Sequence, residues 1–142
     1  MLRRLCFLAL LCLSVPVVAD ESLSLLFLGD NGHHRPGDRF AELEPALRAR
    51  GIALKYTDDP AVALNAETLA AFDGLVLYAN HDTITPAQET ALLEFVASGK
   101  GFIPLHCASF CFRNSPKFVA LVGGQFQKHG GEVFQVEPAD VD

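Results

Sequence analysis

Histidine is the residue type in this sequence best suited to chemistry, and all five histidines lie in segments predicted to be loops. His33 and His34 follow one apolar run, His81 follows another, His106 ends a third, and His129 lies in a glycine-rich stretch. An imidazole that titrates near neutral pH can bind a metal ion or share acid–base work. Each histidine also has a structural alternative, since a loop histidine can be solvated, cap a helix or hydrogen-bond the backbone.

Two cysteines that follow His106 allow three interpretations. Cys107 and Cys111 could be small buried hydrophobic residues, a disulfide in an exported chain, or a nucleophile with its neighbour. Covalent haem attachment requires C-x-x-C-H, which this stretch lacks. A nucleophile elbow has glycines two residues to either side, whereas Cys107 is flanked at those positions by Leu105 and Ser109. The sequence leaves these alternatives open.

Alternating strand-like and helix-like segments position these residues. Apolar runs predict strands at 23–28, 52–56, 74–79 and 101–106, with a last candidate at 132–136. Helical spacing occupies the intervals, and Thr85-Pro86-Ala87-Gln88 and Ser115-Pro116 are typical helix starts. Continuous apolar strands separated by helices predict an α/β fold, a flavodoxin-like open parallel sheet with helices on both faces. No closing helix follows the last strand, so we expect the domain to be incomplete at its C-terminus or to continue into a longer protein.

The sheet brings most of the histidines to one edge, because ligands of open parallel sheets bind beyond the carboxyl ends of the strands. His33, His34, His81 and His106 are expected there, with His129 beside them. A zinc site needs three or four ligands that converge. The sequence therefore suggests a divalent-metal site, although the spacing carries no H-x-x-x-H signature. Its candidate ligands are His34, His81, His106 and His129.

The N-terminus and the charge indicate an exported, acidic domain. Arg3 and Arg4 precede an apolar run that ends at Ala19, which predicts a signal peptide over 1–19 and a domain over 20–142. A membrane anchor is the alternative, but the run is short of the roughly 18 to 20 apolar residues that a span needs. Cleavage removes two of the 11 basic residues and none of the 17 acidic ones, so the net charge changes from −6 to −8. We expect no membrane span after cleavage, no nucleic-acid binding, and a periplasmic or extracellular location.

Three segments of the chain resemble the ThuA-like (trehalose-utilisation-type) domain of the class I glutamine amidotransferase-like superfamily. They are LFLGDNGHHRP, the segment GLVLYANHDTITPAQETALLEFVASGKGFIPLHCASFCF, and LVGGQFQKHGG. The resemblance covers about residues 24–137 and implies a flavodoxin-like fold. It is greatest to exported variants of planctomycete-type bacteria, which often precede repeat and c-type cytochrome modules.

The resemblance implies carbohydrate metabolism at a histidine-lined pocket. Matching IPLHCAS to the amidotransferase elbow places His106, rather than Cys107, nearest the nucleophile position, and no late His-x-Glu pair is present. Glutamine hydrolysis is therefore not expected, and our first hypothesis is a domain that binds or processes a sugar or glycoside. The candidate catalytic residues are His106, Cys107 and His129, and the candidate substrate-binding residues are Asn31, His33, His34, Arg35, Asn80 and His81.

A second hypothesis makes the chain a non-catalytic binding or interaction module. In that case it belongs to a larger multidomain exported protein, linked to downstream domains such as c-type cytochromes. A third is a truncated remnant without an independent function. Convergence of the histidine side chains in space favours the first hypothesis.

Overall fold

A four-stranded parallel sheet forms the centre of the fold. A computed structural model of the chain describes residues 23–131, 133 and 135. The strands lie in the order β2-β1-β3-β4, and every neighbouring pair is parallel. Their bounds are β1 (Ser24–Leu28), β2 (Ala53–Thr57), β3 (Gly74–Leu77) and β4 (Gly101–Pro104). The predicted α/β class and parallel sheet are confirmed.

Helices fill the connections between the strands. They are α1 (Pro36–Arg48), α2 (Pro60–Ala63), α3 (Ala66–Ala70), α4 (Pro86–Ala97) and α5 (Pro116–Val122), with a short 3₁₀ helix at His106–Phe110. Among the described residues, none of the helices has the length and apolar composition of a membrane-spanning segment. The predicted signal peptide lies outside the described residues, as do residues 132, 134 and 136 of the predicted last strand.

The two faces of the sheet pack against different helices because successive side chains of a strand point to opposite sides. Leu26 and Leu28 of β1 belong to one continuous buried cluster with Leu92 of α4 and Phe118 of α5. Phe27 points to the opposite face, where its ring centroid lies 6.0 Å from that of Phe40 on α1. Helices thus cover both faces, as the sequence predicts.

Local side-chain caps decide where the helices begin. Thr85 and Gln88 form a reciprocal capping box at α4, with Pro86 in the first turn. Two short helices, α2 and α3, follow one another between β2 and β3. The Asn65 side chain accepts a hydrogen bond from the Thr68 backbone and starts α3 separately from α2. Capping competes with continuation of a helix at such a residue.

All four strands differ from the sequence prediction by one or two residues, and β1 begins one residue late, at Ser24. β2 is displaced by one residue, and β3 and β4 end two residues early, at Leu77 and Pro104. The next backbone N–H groups, of Tyr78 and Leu105, still bond to Leu28 and Leu77. The chain then leaves the ladder. Beyond these early strand ends, Asn80 and His106 reach the candidate site.

Candidate functional site

The candidate site lies where the strand order reverses. The chain runs from β1 outward to β2 and then returns to β3 on the other side of β1. The loops after β1 and β3 therefore diverge, and such a switch point is where open α/β sheets bind ligands. Gly29 lets Tyr56 and Pro36 pack closely against the end of β1, because a Cβ at this position would lie 2.6 Å from the Tyr56 ring and 2.8 Å from Cβ of Pro36.

Three imidazoles meet above this point, and we call His33, His34 and His106 the imidazole cluster. The ring centroids of His33 and His34 are 3.9 Å apart, and those of His34 and His106 are 4.6 Å apart. The Tyr78 ring stacks against His106 at 5.9 Å. Burial lowers the pKa of His34, and the nearby His33 and His106 lower it further, while Asp30 opposes them. The lowered pKa favours the neutral imidazole of His34 at pH 7, the form that can accept a proton.

The backbone places His106 in an uncommon conformation. β4 leads through extended Leu105 into His106, which has φ 46°, and the 3₁₀ helix begins there. A non-glycine residue in the left-handed region costs free energy and is concentrated at functional sites. This strand–turn–helix junction is the geometry of an elbow, and the strained residue in it is His106, not Cys107. The side chain of His106 is exposed toward the cavity described next.

A cavity of about 340 Å³ opens beside the imidazole cluster. One side of it is an aromatic rim, which we define as Phe110 and Phe126, with ring centroids 5.9 Å apart. The Arg113 guanidinium lies 4.2 Å above the Phe110 ring and supports it from outside. His129 continues the rim at 5.6 Å from Phe126. The residues lining this pocket are His33, His34, Asn80, His106, Cys107, Ser109, Phe110, Phe126 and His129.

The two cysteines are free and buried. Burial raises the pKa of the Cys107 thiol to about 11 and that of Cys111 to about 12. The Cys111 thiol donates a hydrogen bond to the Ala79 carbonyl at 2.7 Å. Of the three interpretations open at the sequence level, the small buried residue describes both. Cys107 touches the pocket as a protonated thiol, which is a weak nucleophile.

Three predicted substrate-binding residues do not line the pocket. Asn31 donates a hydrogen bond to Asp58 at 2.6 Å, and Arg35 pairs with Asp38 on the exposed side of α1. His81 lies against Phe112, and its Nε2 is 2.8 Å from the Gly29 carbonyl. His81 therefore joins the loop after β3 to the end of β1. The other three predicted substrate-binding residues, His33, His34 and Asn80, do line the pocket.

The predicted four-histidine metal site is not formed. Within the described residues, no group of three or more His, Cys, Asp or Glu side chains is arranged to hold a metal ion. His81 is turned away to the Gly29 carbonyl, and His129 is bonded at Nδ1 to the carbonyl of its neighbour Gly130. His34 and His106 are the predicted ligands that remain within reach of each other. By contrast, the predicted catalytic residues His106, Cys107 and His129 share one pocket.

Comparison with known proteins places the chain in a family. The family model for ThuA, "Trehalose utilisation", matches residues 24–142. The chain belongs to the ThuA family. A solved ThuA-like protein from Bacteroides uniformis has a TM-score of 0.60 and 18% identity, with 78% of this chain and 48% of that chain covered. At that identity the similarity shows a common fold, and this chain spans about half the length of that protein. No curated protein matches the chain.

Sequence reasoning missed four residues of this ThuA-family site. Phe110 and Phe126 carry no polar group that would mark them as candidates, and Tyr78 lies within the predicted strand 74–79. A signal existed for Phe126, because it lies within GGQFQKHGG, where a large apolar residue stands alone among glycines and polar residues. Asp30 is the fourth. Its carboxylate accepts backbone hydrogen bonds from Gly32 and Asn80, which no spacing in the sequence reveals.

Proposed function

We propose that this ThuA-family chain binds a carbohydrate in the pocket beside the imidazole cluster, with His34 and His106 doing acid–base work on it. The observation that carries the proposal is the 4.6 Å separation of the His34 and His106 rings at a cavity with an aromatic rim. A sugar ring has apolar C–H faces and hydroxyl edges, so it suits a site with both aromatic and polar groups. The family description, trehalose utilisation, points to the same class of ligand.

The size and charge of the pocket support a small uncharged ligand. A cavity of about 340 Å³ lies at the lower end of the range for small-molecule sites. Its lining holds imidazole, amide, hydroxyl and aromatic groups, and among the described lining residues none is a carboxylate or a fixed cation. The Asn80 amide adds a buried Oδ1 to which no described residue donates a hydrogen bond. A neutral polyhydroxyl compound matches these groups better than an anion does.

Acid–base chemistry follows from the state of His34. An imidazole whose pKa is lowered is unprotonated at neutral pH and can take a proton from a bound hydroxyl or carbon acid. His106, 4.6 Å away, is placed to return a proton to the ligand or to accept one from His34. The proposed reaction therefore uses imidazoles. The protonated Cys107 thiol packs against the pocket and does not act as a nucleophile.

Binding without catalysis is the second candidate. It is favoured by the absence of an activated thiol at Cys107 and by the strong exposure of His33 and His106 within the described pocket. In that case the pocket is the ligand-binding module of a larger exported protein. Export itself is part of the proposal, supported by Arg3, Arg4 and the apolar run that follows them.

Calorimetric titration of the purified protein with trehalose and with D-glucose tests the proposal. We expect binding by the wild type and a loss of at least about tenfold in affinity, roughly 1.4 kcal/mol, for His106→Ala and for Phe126→Ala. Gln127→Ala, an exposed neighbour of Phe126, is the matched control and should bind as the wild type does. Absence of binding to either sugar at millimolar concentration, or equal binding by His106→Ala, contradicts the proposal. If a sugar binds, its conversion to a product favours the acid–base function, and binding without conversion favours the binding module.

A further inference from the structure

One carboxylate ties together the loops that form the pocket. Asp30 follows β1 directly, and its Oδ1 accepts the backbone N–H of Gly32 at 2.6 Å. Its Oδ2 accepts the backbone N–H of Asn80, in the loop after β3. Its own carbonyl accepts the hydroxyl of Tyr56, on β2, at 3.3 Å. Asp30 is thus bonded to segments from three neighbouring strands at the switch point, although it does not itself line the pocket.

The two loops held by Asp30 carry pocket residues on both sides. Gly32 is followed immediately by His33 and His34, and Asn80 is a lining residue. Both bonds are made to backbone N–H groups. They therefore hold the backbone of the two loops in place, and not only the side chain of Asp30. Hydrogen bonds to a charged acceptor are stronger than neutral ones, so these contacts resist separation of the loops.

We propose that Asp30 is the positioning residue of this pocket, holding the loop with His33 and His34 against the loop with Asn80 and placing its carboxylate charge close to both loops. This role rests on the proposed function, since positioning matters when the pocket binds a ligand. The bonds and the charge are properties of the free protein and can be measured without one.

The charge of Asp30 acts on more than one pocket group. From the surrounding elements, His34 faces His33, His106, Asp30 and the Tyr78 ring. Asp30 is the negative group among these and raises the pKa of His34, opposing burial and the two other imidazoles. It also raises the pKa of the Cys107 thiol, after burial. Asp30 therefore favours the protonated form of both groups.

Nuclear magnetic resonance titration of the full-length protein tests the two parts of this role. In the wild type, the amide protons of Gly32 and Asn80 should shift together on acidification, with one shared midpoint, because both bond to the same carboxylate. Amide protons that do not respond, or that respond at different pH values, overturn the positioning role. This measurement needs no variant, so it remains informative even if a substitution prevents folding.

Variants then test the charge. Asp30→Asn should lower the pKa of His34, and Asp30→Glu, which keeps the charge, should leave it near the wild-type value. Asp58→Asn is the matched control, since Asp58 is exposed and accepts a hydrogen bond from the Asn31 side chain. An unchanged His34 pKa in a cooperatively folded Asp30→Asn protein overturns the electrostatic role. Failure of sugar binding would refute the proposed function while leaving these titrations as they are.

Discussion

At the scale of single residues, burial acts in opposite directions on the groups of one pocket. Removing water disfavours the charged form of any group, so it lowers the pKa of the His34 imidazole and raises that of the Cys107 thiol. At neutral pH both are uncharged, but the consequences differ. A neutral imidazole is a base, whereas a protonated thiol is a poor nucleophile. The chemistry available to the pocket is therefore imidazole chemistry.

Slow alkylation of Cys107 is the corresponding prediction. With a pKa of about 11 in place of 9.0, the thiolate fraction at pH 8 should be roughly 100-fold below that of a free cysteine. The rate with iodoacetamide should then increase about tenfold per pH unit up to the pKa. Peptide-resolved mass spectrometry measures Cys107 separately from the other cysteines, and an unfolded sample is the control. Alkylation at the free-cysteine rate at pH 8 would identify Cys107 as an activated nucleophile instead.

At the scale of elements, Ser115 joins α4 to α5. It is 1% exposed and caps α5 by accepting the Phe118 backbone N–H at 3.0 Å. Its hydroxyl donates to Glu89 of α4 at 2.5 Å. This hydroxyl, and then Lys117, lowers the pKa of Glu89. The stability contributed by the lowered pKa is present above the ordinary pKa of a glutamate and is lost as the pH falls through the folded value.

Ser115→Ala should therefore destabilise the protein by about 1–2 kcal/mol, because it removes a helix cap and one hydrogen bond to a charged acceptor. Urea unfolding at pH 7 measures the change in the free energy of unfolding. Thr90→Ala, an exposed change on α4, serves as the control and should have little effect. Equal stability of Ser115→Ala and wild type would mean that the bond between α4 and α5 contributes nothing.

At the scale of the whole molecule, the strand tips hold their positions because the sheet beneath them is packed on both faces. Leu28 and Leu77 are fully buried at the ends of β1 and β3, directly under the switch point. They belong to one buried cluster with residues of helices that are distant in the sequence, including Leu69 of α3 and Phe118 of α5. A substitution in this core should therefore lower the free energy of unfolding of the whole domain.

Leu77→Ala should lower the free energy of unfolding by about 2–5 kcal/mol, since it deletes buried methyl groups and leaves a cavity. Leu23→Ala makes the same chemical change at a side chain that is 52% exposed and should cost less than about 1 kcal/mol. Thermal and denaturant unfolding of both variants gives the comparison. Similar losses for the two would show that the leucine cluster under the site is not the main source of stability.

The sequence by itself determined the sheet, its parallel strands and most helix starts. Apolar runs and capping residues act locally, so β1 and the Thr85 capping box can be identified without knowledge of distant contacts. The gathering of His33, His34 and His106 was also predictable, because parallel strands place the loops that follow them at one edge. These are consequences of periodicity and chain direction alone.

Only the tertiary structure decided which side chains turn into the pocket. Orientation depends on contacts between residues far apart in the chain, as when His81 bonds to Gly29 and leaves the predicted metal set. The strain at His106 and the two backbone bonds to Asp30 arise in the same way. The position of a residue relative to a strand determines which edge of the sheet it reaches. The direction of its side chain at that edge depends on contacts with residues that are distant in the sequence and close in the folded protein.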